Sequence, residues 1–378
     1  MQIVSLPLRV AGRKMPKKVF FSLGDRSADR ILSKILPHLE GDFELYGIGG
    51  RYTENLLQKV GNVEDITATG IFEVLPKLGR ILATKRRVLD FLKREKPHAL
   101  VAVDAPGFNL PLIKRARELG IRRVVYYILP QIWAWKEGRK YTLARYSDSL
   151  ISILPFEERY FSDLKVDFVY AGHPSVELLK DIPNEKPLRE DYFVVFPGSR
   201  TSEVRRHLKV LEKAIPLAVK EFSLRPVVLA FRSHRRFLRK LHSLCRVVYI
   251  DANPERGHLF IKHARFGWIK SGTTAFETAL LGTPHLLFYR VSRPTYWIAK
   301  RLVKTPHLHL ANVILGEGVI PELVQDRFTP EGLIKATYRL LEEPEYWREH
   351  FSALREKLRP PKGSVFEYTA EVLKEKIG

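Results

Sequence analysis

One cysteine, Cys245, in 378 residues excludes an internal disulfide and fits a reducing compartment. No apolar run approaches the length of a membrane span. The first fifteen residues lack the long apolar stretch and small-residue cleavage site of a signal peptide, so the protein is expected inside the cell, at most lying against a membrane. The chain also lacks a Gly-x-Gly-x-x-Gly fingerprint after its first strand, a phosphate loop ending in lysine, an Asp-x-Asp pair and any His/Cys cluster at ligand spacing. NAD is therefore a poor guess, and neither a metal nor another cofactor is indicated. No solenoid repeat or low-complexity tract is present.

Acid is the scarce charge. The chain carries 42 Asp and Glu against 64 Lys and Arg, a formal net charge of +22. Such an excess calls for an anionic neighbour: nucleic acid, an anionic membrane surface or phosphorylated substrates. Composition alone does not choose, although no recognisable nucleic-acid motif supports the first.

What is present is alternation. Short apolar runs at 18–23, 43–48, 99–103, 123–128, 149–153 and 167–170 are separated by helical patterns such as 82–95 and 110–119. A second series begins at 192–196, continues through 226–230, 246–250, 264–269 and 284–288, and ends in helices near 330–342 and 346–358. Alternation of this kind predicts an α/β protein of two Rossmann-like doubly wound domains facing a central cleft. The polar, two-proline stretch 181–191 reads as the linker. The expected division is 16–180, linker, 192–358, and a C-terminal helix within 359–378 that packs back on the first domain.

The candidate chemistry sits at strand ends. Lys270-Ser271-Gly272-Thr273-Thr274 follows an apolar strand and opens a helix, so small residues there let a phosphate approach the backbone, with Thr273 or Thr274 as helix cap. Glu277, one turn on, could accept from both hydroxyls of a ribose. The alternative is an ordinary capped turn with Glu277 on a solvated face. Pro197-Gly198-Ser199-Arg200 is a second anion-binding turn, in which Arg200 adds a planar cation suited to a pyrophosphate or simply sits on the surface. In the first domain Asp104, at the tip of the strand 101–103, could be a general base with Asn109 as polar neighbour or helix cap, or could merely bond its own loop amides.

Further along, Gln131-Ile132-Trp133-Ala134-Trp135 with Lys136, Arg139 and Lys140 could suit a sugar stacked on aromatics beside a phosphate. His173 could be catalytic or hold its own loop. The stretch 70–87, with Ile71, Phe72, Val74, Leu75 and Leu78 among basic residues, could rest on an anionic membrane or hold an acyl chain, or dock on its own sheet with a solvated basic face.

These motifs together resemble the lipid A disaccharide synthase family, of glycosyltransferase B architecture, from about Phe20 to Leu341. The most specific pieces are Val103-Asp104-Ala105-Pro106-Gly107-Phe108-Asn109, Gln131-Ile132-Trp133-Ala134-Trp135, Leu154-Pro155-Phe156-Glu157, Gly172-His173-Pro174, Pro197-Gly198-Ser199-Arg200, Ser271-Gly272-Thr273 with Glu277, and Ala299-Lys300-Arg301-Leu302-Val303-Lys304. The resemblance implies inverting, metal-independent transfer of diacylglucosamine from a UDP donor to the 6-hydroxyl of diacylglucosamine 1-phosphate. On that analogy Asp104 and Arg200 are the catalytic residues. Gly198, Ser199, Ser271, Gly272, Thr273, Glu277, Asn312, Glu322 and Gln325 face the donor, whereas Asp25, Ser27, Asp29, Asn109, Gln131, Trp133, Trp135, Arg139 and His173 face the acceptor. The family setting also implies a peripheral place on the inner face of a Gram-negative inner membrane, and it is compatible with a homodimer. Asp25, Ala28, Leu129, Ala311 and Thr69 depart from the family pattern, mostly on the acceptor side. The rival readings are another UDP-sugar enzyme of the same fold, an epimerase or a different lipid-linked glycosyltransferase, and a nucleic-acid binder.

Overall fold

The computed structural model describes residues 16–67, 71–251 and 253–378, with the side chains of 71–77 left aside. Two parallel sheets carry the chain. The first contains β1 (Lys17–Leu23), β2 (Phe43–Gly49), β3 (Gln58–Asn62), β4 (Ala99–Val103), β5 (Arg123–Tyr127), β6 (Ser149–Ser152) and β7 (Asp167–Tyr170), in the order β3-β2-β1-β4-β5-β6-β7. The second contains β8 (Tyr192–Phe196), β9 (Arg225–Ala230), β10 (Arg246–Tyr249), β11 (Gly267–Lys270), β12 (His285–Tyr289) and β13 (Glu322–Val324), in the order β10-β9-β8-β11-β12-β13. All eleven strand pairings are parallel. The predicted double α/β architecture is thus present.

Helices cover both sheets. Those of the first half are α1 (Arg26–Ile35), α2 (Val63–Ile66), α3 (Ile71–Glu95), α4 (Pro106–Glu118), α5 (Arg139–Tyr146) and α6 (Pro174–Leu178). The second half adds α7 (Thr201–Phe222), α8 (Pro254–Lys262), α9 (Thr273–Leu280), α10 (Arg293–Leu302), α11 (Leu310–Leu315), α12 (Pro330–Glu342), α13 (Pro344–Lys357) and α14 (Val365–Ile377). Because each sheet is covered on both faces, its central strands are apolar throughout: every residue of β4 and β8 is buried. Trp268 of β11 is fully buried and its indole donates to Thr337 Oγ1 at 2.9 Å, so the ring adds apolar area without leaving its one polar atom unmet. Trp268→Ala would open a cavity costing about 3–5 kcal/mol.

Two differences from the sequence reading have simple causes. β3, Gln-Lys-Val-Gly-Asn, is an edge strand with little to bury, and β13 is three residues long, so neither shows an apolar run. The helix predicted at 82–95 begins at Ile71.

The chain crosses between lobes twice, at 179–191 and again after α13. The second crossing lets α14 pack beside α1 and β5, where Phe366, Ala370, Val372, Leu373 and Ile377 join the core of the first sheet. Other ties between the lobes are the Arg30–Glu255 ion pair at 2.9 Å, and Lys304, whose amide donates to Ala134 O at 3.0 Å while its Nζ pairs with Glu137 at 2.7 Å.

Candidate active site

In parallel sheets every strand ends on the same edge, so the turns after β8 and β11 lie beside each other and those after β1, β4 and β5 form a group of their own. The second-lobe turns are built on glycine. Gly198 has φ +122° and Gly272 φ +148°, regions where other side chains are strained. Gly272, not Thr273 or Thr274, is the N-cap of α9, and no side chain accepts from the first amides of that helix. This corrects the expected threonine cap: the glycine conformation brings Thr273 inside the first turn, and while the Ala275 and Phe276 amides donate to Gly272 O, no helical carbonyl or capping side chain takes those of Thr273 and Thr274, as an anion site needs.

Between these turns stands a cluster the sequence reading did not assign. Lys270 Nζ lies 3.0 Å from Glu203 Oε2, Arg200 Nη1 lies 3.2 Å from Glu203 Oε1, and the Tyr289 hydroxyl donates to the same oxygen at 3.4 Å. A Cβ on Gly198 would meet Lys270 Cδ and Cγ at 3.4 Å, and one on Gly272 would stand 3.9 Å from Lys270 Nζ, so the lysine runs from one turn to the other. Burial pulls its pKa down, against the opposing pull of Glu203. The signal for it was a cation closing the strand Gly267–Lys270, visible in the chain but without a partner until Glu203, 67 positions earlier, folded against it.

The first-lobe edge is built differently. Asp104 and Ala105 both have positive φ, +50° and +42°, and Ile128 and Lys136 after β5 do too, at +60° and +52°. None is glycine, and strain of this kind concentrates where a side chain must be aimed. The Asp104 carbonyl is held by the Tyr126 hydroxyl at 2.6 Å and Asn109 Nδ2 at 2.9 Å, fixing the turn that presents its carboxylate. Gly24 permits the first loop to close on this turn, since a Cβ there would stand 1.9 Å from Ala105 Cβ. Burial, reinforced by the charge of nearby Asp25, raises the Asp104 pKa to about 6, with the Ala105 amide opposing. A carboxylate so tuned is ionised at neutral pH yet more basic than a solvated one.

Several sequence candidates serve as supports. Asn109 is fully buried inside α4 rather than at its cap, tied to Ser22 Oγ at 2.6 Å and to the carbonyls of Ser22, Val103 and Asp104. Asp29 is buried and accepts from Gly50 N, Tyr52 N and Thr53 Oγ1. His173 caps α6 through Nδ1, stacks edge-on against Phe276 of α9 and donates its amide to Leu358 O, a joint between lobes; burial pushes its pKa down to about 3. Asn312 is buried between Ile320 and Glu322, whose carboxylate accepts the amides of Leu308 and His309. Gln325 Oε1 accepts from Val291 N.

Others remain within reach of a ligand. Asp25 caps α1 through Ala28 N, Ser27 and Gln131 are exposed, and Ser199, Ser271 and Thr273 line the glycine turns. Glu277 accepts or shares a bond with His258 Nε2 at 2.9 Å, which leaves its second oxygen open. Trp133 is buried against Phe156 with ring centroids 5.4 Å apart, whereas Trp135 is exposed under Lys136 and Arg139. Beside Trp133, buried Glu157 hydrogen-bonds Ser152 Oγ, and burial raises its pKa to about 8 against the opposing effects of Ser152 and Trp133. The side chains of Ile71, Phe72, Val74 and Leu75, like Thr69, lie outside the described residues, while Leu78 is exposed. Among the described residues no helix is long and apolar enough to cross a membrane.

Comparison with known proteins bears on the fold and on the family. By fold, the chain is similar to the UDP-GlcNAc 2-epimerase of Methanocaldococcus jannaschii (TM-score 0.62, 15% identity, 96% of this chain and 100% of that one). It is likewise similar to Acinetobacter baumannii MurG (TM-score 0.58, 13% identity, 95% and 100% covered). In sequence it is 35% identical over 347 residues to the lipid-A-disaccharide synthase of Aquifex aeolicus, covering 90% of this chain and 94% of that protein. With the Persephonella marina protein of the same description it shares 34% identity over 378 residues, covering 95% and 99%. The model of the family described as lipid-A-disaccharide synthetase matches residues 19–372, and the chain belongs to that family.

Proposed function

We propose that this protein is a lipid-A-disaccharide synthase, an inverting glycosyltransferase. It moves 2,3-diacylglucosamine from its UDP donor to the 6-hydroxyl of 2,3-diacylglucosamine 1-phosphate and releases UDP. The observation that carries the reading is the contrast of two unlike strand edges: small-residue turns with Arg200 and Lys270 on one lobe, and a carboxylate of raised pKa on the other.

In the step itself the acceptor oxygen attacks the donor's anomeric carbon from the face opposite the leaving group. Its proton passes to Asp104, and the bond from that carbon to the diphosphate breaks with its electron pair going to the phosphate oxygen. The charge arriving there meets the Gly198 and Gly272 turns, Arg200 and Lys270, groups already oriented before reaction. Glu277 takes the ribose, and Asn312, Glu322 and Gln325 brace the donor side. Asp25, Ser27, Gln131, Trp135 and Arg139 face the acceptor, with Asp29, Asn109, Trp133 and His173 holding that surface in place. Closure of residues 192–358 on 16–180 would exclude the water that otherwise hydrolyses the donor.

The substrates' acyl chains require a lipid surface, and the basic chain suits the inner face of a Gram-negative inner membrane. Exposed Leu78 and Leu82 on α3, beside Lys85, Arg86 and Arg87, support a peripheral contact there. The test is mass spectrometry of the product formed from purified acylated donor and acceptor. A disaccharide 1-phosphate with stoichiometric UDP is expected. Epimerised donor sugar formed without any acceptor would replace this reading with the epimerase one.

A further inference from the structure

α10 is a helix with nothing packed over its outer face. None of its ten residues is buried; Trp297 is 59% exposed, Ile298 56% and Leu302 56%, and Val303 just beyond is 42% exposed. At 100° per residue Trp297, Ile298 and Leu302 share one stripe, and the Arg301 guanidinium within it stacks on Trp297 at 3.4 Å. Apolar side chains left in water over such a stripe mark a contact surface.

The charge around this stripe says what it contacts. Between Arg290 and Gly316 the sequence has no Asp or Glu; Arg290 is turned onto the Gln325 and Phe328 carbonyls, while Arg293, Lys300, Arg301 and Lys304 are exposed cations. Lys304 fixes the end of the helix against the Trp135 loop of the other lobe, through Ala134 O and Glu137. Trp135 is exposed beneath Lys136 and Arg139, and Tyr141 is 58% exposed. Glu137, the single acid between Gln131 and Ser147, is neutralised by Lys304. Exposed indoles and aliphatics ringed by lysine and arginine match the boundary of an anionic bilayer, where rings lie among headgroups and cations meet phosphate.

We infer that α10 and the adjoining Trp135 loop form one docking face for an anionic lipid bilayer, shared by both lobes. The inference rests on the peripheral-membrane reading above and gives it a second location. Both segments leave the carboxyl edges of their sheets, the β12 and β5 ends, the edge at which folds of this kind bind ligands.

The experiment is flotation of the full chain with vesicles of phosphatidylcholine alone and of phosphatidylcholine mixed with phosphatidylglycerol, alongside sedimentation velocity. The wild type should float with the mixed vesicles only. Trp297→Ser/Ile298→Ser should lower that partitioning at least about tenfold, and Lys300→Ala about fivefold, with the unfolding temperature of each variant unchanged because these side chains are exposed. Equal flotation of wild type and the double variant would overturn this face while leaving the peripheral reading standing. Absence of wild-type flotation would overturn both. Unchanged flotation with conversion of a dimer to a monomer would assign the face to a second copy of the chain.

Discussion

The two lobes share an architecture and solve opposite problems at the same strand edge. In the second lobe the positive-φ residues at the turns after β8 and β11 are Gly198 and Gly272, and what they present is bare backbone. In the first, the turns after β4 and β5 place Asp104, Ala105, Ile128 and Lys136 at positive φ, and side chains are what is aimed. A diphosphate is best met by N–H groups with no Cβ in the way, whereas a proton can be taken only by a side chain held in place. At these four turns the first lobe carries the strain on residues with side chains and the second uses glycine, while Gln325 after β13, at φ +54°, is a strained position of the second lobe.

That contrast breaks most sharply at Asp104. Asp104→Asn should lower turnover by about 10²–10⁴-fold while UDP affinity holds, read by steady-state kinetics beside calorimetry. With the wild type, kcat/KM should rise as pH increases through about 6, where the carboxylate ionises. Stability should move the other way: a pKa raised in the fold favours the protonated form, so the folded state loses stability as pH climbs through about 6, and the asparagine variant should lose that dependence.

Arg200→Ala attacks the opposite lobe. Turnover should fall about 10²–10³-fold together with UDP affinity, the pairing of effects that Asp104→Asn lacks. Lys270→Met comes next. It leaves Glu203 buried with Arg200 as its remaining cation, so thermal or denaturant unfolding should show a loss of up to about 3 kcal/mol along with weaker UDP binding. Glu157→Gln should do least. Near neutral pH the buried acid is still protonated, so the amide changes the native contacts little; as pH climbs from about 4.5 through about 8 the wild type should lose stability that the variant keeps, levelling off above that, as a pH series of unfolding temperatures would show.

The legible parts of the fold were those where local chemistry decides. β4 and β8, buried on both faces, announce themselves as unbroken apolar runs, and the turns at Asp104 and Gly198 follow them directly, as the Gly272 turn follows β11. β3 and β13 were invisible because a polar edge strand and a three-residue strand have no run to show. The candidate site was legible wherever a motif lies at a strand end, and illegible wherever it joins residues distant in the chain. Lys270 with Glu203, Glu277 with His258 and Gly24 against Ala105 meet only through tertiary packing. Asn109 and His173 were visible as polar residues in the right loops, but only their burial and partners distinguish a brace from a ligand contact.

Division of labour between the lobes is tested most directly by a crystal structure of the protein with UDP. The diphosphate should lie within hydrogen-bond distance of the amides at the Gly198 and Gly272 turns and of Arg200, with the Asp104 carboxylate making no contact to it. Electron density for the diphosphate against the Asp104 turn, with the glycine turns empty, would contradict the account.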